Sequence, residues 1–324
     1  MEQPHRVSDA TEATRAGLEA HISALAAQVR RPVEGIFGAE SVSWRINRES
    51  ALFLGAGRAA LLQLAHPWVA AALDQHSSLM AKPIARFHNT FRVVFTMIFG
   101  TADQTFRAAR SLHAMHTKIT GEVPEAVAGY EKGAHYEALQ VPALKWVYAS
   151  LIESAVMAYE CVRPPLQSEE LAQYYAESKL LAGLFGLGPG ELPDEWHGFK
   201  AYVAEICGSA ALGVSERARY MAQRIMTGAG SWVHVPRWYQ NLTAEMLPQR
   251  FRDEFGLPFG SEEQESGAGA RRWLPRVYAK LPGTLRYVGP YQEAHARLRG
   301  RDAGFLARRS SAFWIGQTRM PFAR

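Results

Sequence analysis

Five histidines fall between residues 50 and 121: His66, His76, His88, His113 and His116. They sit among long apolar runs whose pattern predicts buried helix. A buried imidazole needs a hydrogen bond, a charge or a metal to offset its desolvation. Arg86 and Thr90 lie four residues apart in RFHNT, on one face of a predicted helix, as a shared contact to one ligand requires. His113 and His116 fall three apart, on nearly the same face of the next helix. Glu153 and Glu160, seven apart on an apolar helix, together with Glu177 raise the idea of a carboxylate-bridged di-iron bundle. The paired E-x-x-H motifs of such bundles are missing. G-x-S-x-G, H-E-x-x-H and P-loop motifs are also missing. Each of these residues also has a plainer reading. A helix-end histidine can bond to a carbonyl, an arginine can be ion-paired, and Trp146 and Tyr148 suit a core.

The elements that must position these groups are helices. Leu18, Ile22, Leu25 and Val29 form a helical stripe, and a second helix begins near Asn47. Pro67 bends or restarts the chain, with His66 at the junction. Pro83 opens a helix that runs to Phe99, and residues 102–120 form another, closed by Gly121. Ala143 to Val162 and a helix starting at Ser168 follow, then further helical segments out to Ala307. Alternating β-branched runs are absent, so the expected class is all-α: a single domain of about ten or more helices. The stretch Gly256 to Gly269 is expected to be a flexible loop. Gly55-Ala56-Gly57-Arg58-Ala59-Ala60 has the form of a dinucleotide-binding turn. No second strand with an acidic end follows it, so that reading fails. Gly55 and Gly57 each cost roughly 1 kcal/mol of helix propensity relative to Ala. They therefore imply a close neighbour, either a helix or a flat cofactor.

Composition sets further bounds. The chain has 324 residues, 48% of them apolar, with a net charge of +5. Residues 295–324 hold seven arginines and one aspartate, a net of +6, so the rest is near neutral. Such a tail can touch nucleic acid, acidic lipid or an acidic partner. No nucleic-acid motif accompanies it, so no nucleic acid is expected. Weak membrane or acidic-partner contact through the tail stays open. The two cysteines, Cys161 and Cys207, fit neither a disulfide framework nor a metal-ligand spacing. No signal peptide is visible, and Leu54 to Leu73 is too interrupted by polar residues to span a bilayer. The expected location is cytoplasmic.

The segment LGAGRAALLQLAHPWVAAALDQHS, with RFHNT and HAMHTKITG after it, resembles the helical oxygenases that include the latex-clearing rubber oxygenases. The same family includes the endoplasmic-reticulum-bound oxygenase of mycophenolic acid biosynthesis. The resemblance extends from about Ile46 to about Gly300, taking in LPQRFRDEFGLPFG and LPGTLRYVGPYQEAHARLRG. It divides the chain into a polar leader and helix at 1–45, an oxygenase-like catalytic domain at 46–300 and a basic tail at 301–324. It implies a globin-like bundle enclosing one haem b.

The family's axial phrase H-x-x-V-x-G corresponds here to His116 through Gly121, with Ile119 in place of valine, so the resemblance makes His116 the iron ligand. His113 stands where arginine is usual and is a rival ligand or a contact near the cofactor. Arg86 and Thr90 would orient haem or oxygen, and Gly57 and Arg58 join the expected cofactor contacts. Asn89 occupies the position of a distal lysine in rubber oxygenases. The distal glutamate has no counterpart, and Asp74 is the nearest carboxylate. His66 and His76 belong to the family phrase A-H-P…D-H-S, the first near the kink and the second near a pocket mouth. The implied activity is oxygen-dependent oxidation, with O2 and a hydrophobic, lipid-like or isoprenoid molecule as partners. A haem protein that is not an oxygenase, and a haem-free helical binding protein, are the alternatives.

Overall fold

A computed structural model of the chain describes residues 12–77, 82–229 and 234–323. Among these residues the fold is all-α, with sixteen α-helices. They are α1 (Arg15–Gln28), α2 (Val42–Asn47), α3 (Phe53–Leu64), α4 (Pro67–His76), α5 (Pro83–Phe99), α6 (Ala102–His116), α7 (Val141–Glu160) and α8 (Ser168–Leu184). The series continues with α9 (Trp196–Gly208), α10 (Glu216–Thr227), α11 (Arg237–Met246), α12 (Gln249–Phe255), α13 (Ser261–Ala279), α14 (Gly283–Arg286), α15 (Gly289–Leu298) and α16 (Phe305–Ile315). One antiparallel hairpin, β1 (Thr120–Glu122) with β2 (His135–Glu137), pairs Gly121 with Tyr136.

Helix boundaries follow local chemistry. The Thr101 side chain caps α6, while the Gln104 side chain returns to the Thr101 N–H, a reciprocal capping box. Gln167, rather than Ser168, caps α8, and the Glu170 carboxylate accepts from the Gln167 N–H. Pro67 restarts the chain as α4 with buried His66 as its N-cap residue. The stretch Gly256 to Gly269 is not a flexible loop. Glu263 accepts from the Gly260 N–H and α13 begins at Ser261. Acidic residues in that first turn complement the helix dipole, and Gly267 and Ala270 are buried on its inner face.

The core is built around α3, which packs along α7 and against α10 and α11. Both of its glycines permit close approach. A Cβ on Gly55 would strike the Ser154 carbonyl of α7, and one on Gly57 would strike Thr243 of α11. The close neighbour implied by these glycines is a helix on each side. Arg58, on the same helix, is 3% exposed and donates to Glu153 Oε2 at 2.5 Å, to Ser154 Oγ at 2.8 Å and to the Met246 carbonyl at 2.8 Å. Lys200 of α9 completes the cluster on the other Glu153 oxygen. Burial would raise the Glu153 carboxyl, but Arg58 and Lys200 outweigh it and hold it below its ordinary value.

Residues beyond 300 do not form a solvated extension. Helix α16 packs on α5 and α15, with Trp314 and Ile315 buried. Arg92 and His88 of α5 bond to the Ile315 and Phe313 carbonyls at its end.

The Arg58–Glu153 pair gives a direct test. Glu153→Leu leaves a buried, uncompensated guanidinium and is expected to lower unfolding stability by about 3–5 kcal/mol. The Arg58→Met, Glu153→Leu double variant is expected to recover most of that loss. Urea titrations of the three proteins check both outcomes.

Candidate functional site

Helices α5 and α6 are joined by a short turn and pack as an antiparallel pair, so the start of α5 lies beside the end of α6. That arrangement brings Arg86 to His116. Burial, then the Arg86 charge, then His113 push the His116 imidazole from 6.5 down to about 4. The ring is therefore neutral at neutral pH, although it ends a helix whose dipole favours a cation. Its Nδ1 is buried and has no hydrogen-bond partner. The Arg86 guanidinium is half-buried, and burial lowers its pKa. Among the described residues it has neither an ion-pair partner nor a hydrogen bond, unlike the paired Arg58, Arg163 and Arg271. A partly desolvated cation without an anion is an incomplete arrangement.

One turn further along α5, Thr90 lines a cavity of about 90 Å3. Its hydroxyl donates to the Arg86 carbonyl at 3.1 Å, leaving its oxygen lone pairs free to accept. Phe91, Val94, Phe95 and Ile98 continue this wall, and Leu52, Ala56 and Ala59 form part of the opposite one. Polar groups gather where α2, α7 and α8 meet: Asn47, Tyr148, Tyr174 and Ser178. Tyr148 donates to the Ser178 carbonyl at 2.5 Å and Ser178 to the Tyr174 carbonyl at 2.7 Å. Burial pushes both tyrosines well above their ordinary value, so they stay neutral. The cavity lining contains no carboxylate, lysine or histidine among the described residues.

The structure thus brings Arg86 beside His116 and puts Thr90 one turn along α5 at the cavity, whose lining includes neither Arg86 nor His116. It separates the others. Asp74 pairs with Arg217 of α10 at 2.7 Å and belongs to a smaller cleft beside Val123 and Glu125, so the expected distal role has no geometric basis. Gly57 and Arg58 serve helix packing, with the guanidinium committed to Glu153, Ser154 and Met246, and are not cofactor contacts. His113 faces α1, where Arg15 and Glu19 both act on its charge, and burial lowers its pKa. Asn89 is exposed and its Oδ1 accepts from Arg92. His76 bonds to the Thr120 carbonyl at 2.8 Å. A Cβ on Gly121 would meet the Gln75 side-chain oxygen and the Tyr136 hydroxyl, and β1 lies against α4. The three carboxylates of the di-iron idea part company: Glu160 accepts from the Leu166 N–H and Glu177 from the Val42 and Ser43 N–H groups. Among the described residues no three metal-ligating side chains converge. Of the cavity tyrosines, Tyr148 reads in the sequence as a core residue and Tyr174 carries no signal of its own, because their spacing matches any core helix.

A family model for the ER-bound oxygenase mpaB/B'/rubber oxygenase catalytic domain matches residues 44–279. The chain belongs to this family. No curated protein and no solved structure matches it. Membership makes the chain an oxidoreductase of the oxygenase type and favours that reading over the non-oxygenase haem protein and the haem-free binding protein. Its partners are accordingly O2 and a small-molecule substrate, and a metal or haem cofactor is the class of group such chemistry uses. No described helix is long and apolar enough to cross a membrane.

His66 supplies a pH test. Its ring is 2% exposed, packs 5.6 Å from Trp68, and burial lowers its pKa from 6.5 to about 4. The unfolded chain binds this proton at higher pH than the native chain, so stability falls as pH drops from about 6.5 towards 4. One such histidine contributes a slope of up to about 1.4 kcal/mol per pH unit. His66→Gln, which cannot titrate, is expected to flatten the slope of unfolding free energy between pH 6 and pH 5 by about that share.

Proposed function

We propose that the chain is a haem-b oxygenase acting on an apolar small molecule. The observation that carries this reading is the unpaired Arg86 guanidinium beside a neutral His116 whose buried Nδ1 lacks a partner. A porphyrin brings four nitrogens of its own and asks the protein for one strong axial ligand, commonly a neutral histidine. It also carries propionates, which supply the anion that Arg86 lacks. A bare metal ion would instead need several convergent side chains, and no such group forms among the described residues. The residues present therefore fit haem.

Haem, when bound, supplies the iron at which O2 chemistry takes place. His116 would ligate it, and the Arg86 charge, set one helical turn from Thr90, would fix its orientation. Thr90 has accepting lone pairs at the cavity wall and would orient oxygen or a bridging water. The phenylalanines and aliphatic side chains of the cavity would hold an apolar substrate and exclude water. At the α2–α7–α8 end, neutral Tyr148 and Tyr174 with Asn47 would receive the one polar atom that a lipid-like or isoprenoid substrate carries.

The visible absorption spectrum of protein purified with haem tests this. A Soret band is expected in the native chain and in His113→Ala, and its loss in His116→Ala. Arg86→Ala is expected to keep the band but weaken haem affinity by about 1.5–3 kcal/mol, the range for a hydrogen bond to a charged group. A native chain without the band after haem is supplied would defeat the reading. So would loss of the band in His113→Ala alone.

A further inference from the structure

Helix α16 is apolar on two sides. Trp314 and Ile315 face inward with Ala307. Phe305, Leu306 and Phe313 face outward at 66%, 60% and 61% exposure. At 3.6 residues per turn these three and Arg309 share one stripe roughly 100° wide. The inward stripe is explained by packing on α5 and α15. Nothing in the packing explains the outward one. Leu285 of α14, which packs against α16, is also 63% exposed.

The charge of the surrounding segment is predominantly positive. Arg299, Arg301, Arg309 and Arg319 are exposed, and Arg308 is half-buried. The guanidinium of Arg309 lies 5.7 Å from the Phe305 ring. Asp302 is the one acidic residue of the segment, and it lies 3.6 Å from Arg319. The chain's excess positive charge is therefore concentrated here.

We propose that the outward face of α16 docks on an anionic membrane surface, lying in the interface without crossing it. Large apolar side chains flanked by arginines form the composition that enters the headgroup boundary and attracts anionic lipid. No described helix could span instead. The position of the helix gives the docking a consequence. Trp314 packs against Phe87, Phe91 and Phe95 of α5, at 6.0, 5.7 and 6.2 Å between rings. Phe91 and Phe95 line the cavity. A bilayer at α16 would thus lie one helix away from an apolar chamber, on the side from which a membrane-dissolved substrate would arrive. The docking itself stands apart from the haem reading, since it needs neither cofactor nor substrate.

Flotation of the full chain with vesicles tests the proposal. Vesicles of phosphatidylcholine with phosphatidylserine are expected to carry the protein upward, and vesicles of phosphatidylcholine alone to carry much less. Phe305→Ser, Leu306→Ser, Phe313→Ser, a triple change confined to exposed positions, is expected to lower partition by about tenfold or more. Arg301→Glu with Arg309→Glu is a second, independent variant. It is expected to lower partition by about fivefold or more for each arginine lost, and added salt is expected to weaken the native chain in the same direction. A native chain that stays at the bottom with both vesicle types overturns the proposal. A triple variant that floats like the native chain, with an unchanged far-ultraviolet circular dichroism spectrum, overturns it too. Self-association of the native chain, lost in the triple variant and unaccompanied by flotation, would assign the face to a second copy and would also overturn it.

Discussion

The close contact between α3 and α7 is the constraint on which the rest of the molecule depends. Gly55 lets the two backbones approach, and Arg58 ties them together through Glu153 and Ser154 while reaching α11 through the Met246 carbonyl. Neither device is cheap. A glycine within a helix loses propensity, and a buried ion pair is desolvated on both sides. What they provide is position. The two helices, packed on each other, form adjoining walls of one cavity, and α5 closes it with Thr90, Phe91, Val94 and Phe95. A core of aliphatic side chains alone would allow the helices to slide. A guanidinium with three bonded partners allows one register.

Against that frame, the two arginines of the sequence reading turn out to be opposites. Arg58 is fully buried and fully engaged, so its cost is offset inside the protein. Arg86 is half-buried, with no anion offsetting it among the described residues. The same residue type, twenty-eight positions apart, is structural in one place and open to a ligand in the other. The difference lies in whether a carboxylate reaches it. Glu153 comes from ninety-five residues away, a separation at which no local spacing rule applies.

Much of the fold was legible because it is written in short-range patterns. The stripe Leu18, Ile22 and Leu25 is buried in α1, Pro67 and Pro83 open α4 and α5, and Gly100 ends α5. The i, i+4 pairing of Arg86 and Thr90 holds because both sit on α5, although they do different things: one meets His116, the other lines the cavity. What stayed hidden depended on distant contacts. Asp74 looked like the nearest carboxylate in the chain, but Arg217 claims it. The Gly- and Ser-rich run after Gly260 looked like a loop, but a backbone cap and an acidic first turn suffice for a helix whose inner face, at Gly267 and Ala270, is buried. The basic end of the chain was visible as charge, while the two-sided apolar character of α16 emerged only once its packed face was known.

The electrostatics of the cavity constrain how an oxygenase could work here. The described lining carries no group that titrates near neutral pH, and its tyrosines are held neutral by burial. In the proposed reaction, proton movement within this cavity would run through hydroxyls and water. Thr90 is suited to that task, because its proton is engaged with the Arg86 carbonyl while its lone pairs remain available at the wall. The charge of Arg86 stands one turn away, outside the cavity lining, where in the proposed haem complex it would meet a propionate. Apolar walls and one hydroxyl suit reactions in which oxygen meets an apolar bond. They are a poor match for the hydrolysis of a polar one, which would call for a base close to the attacking water.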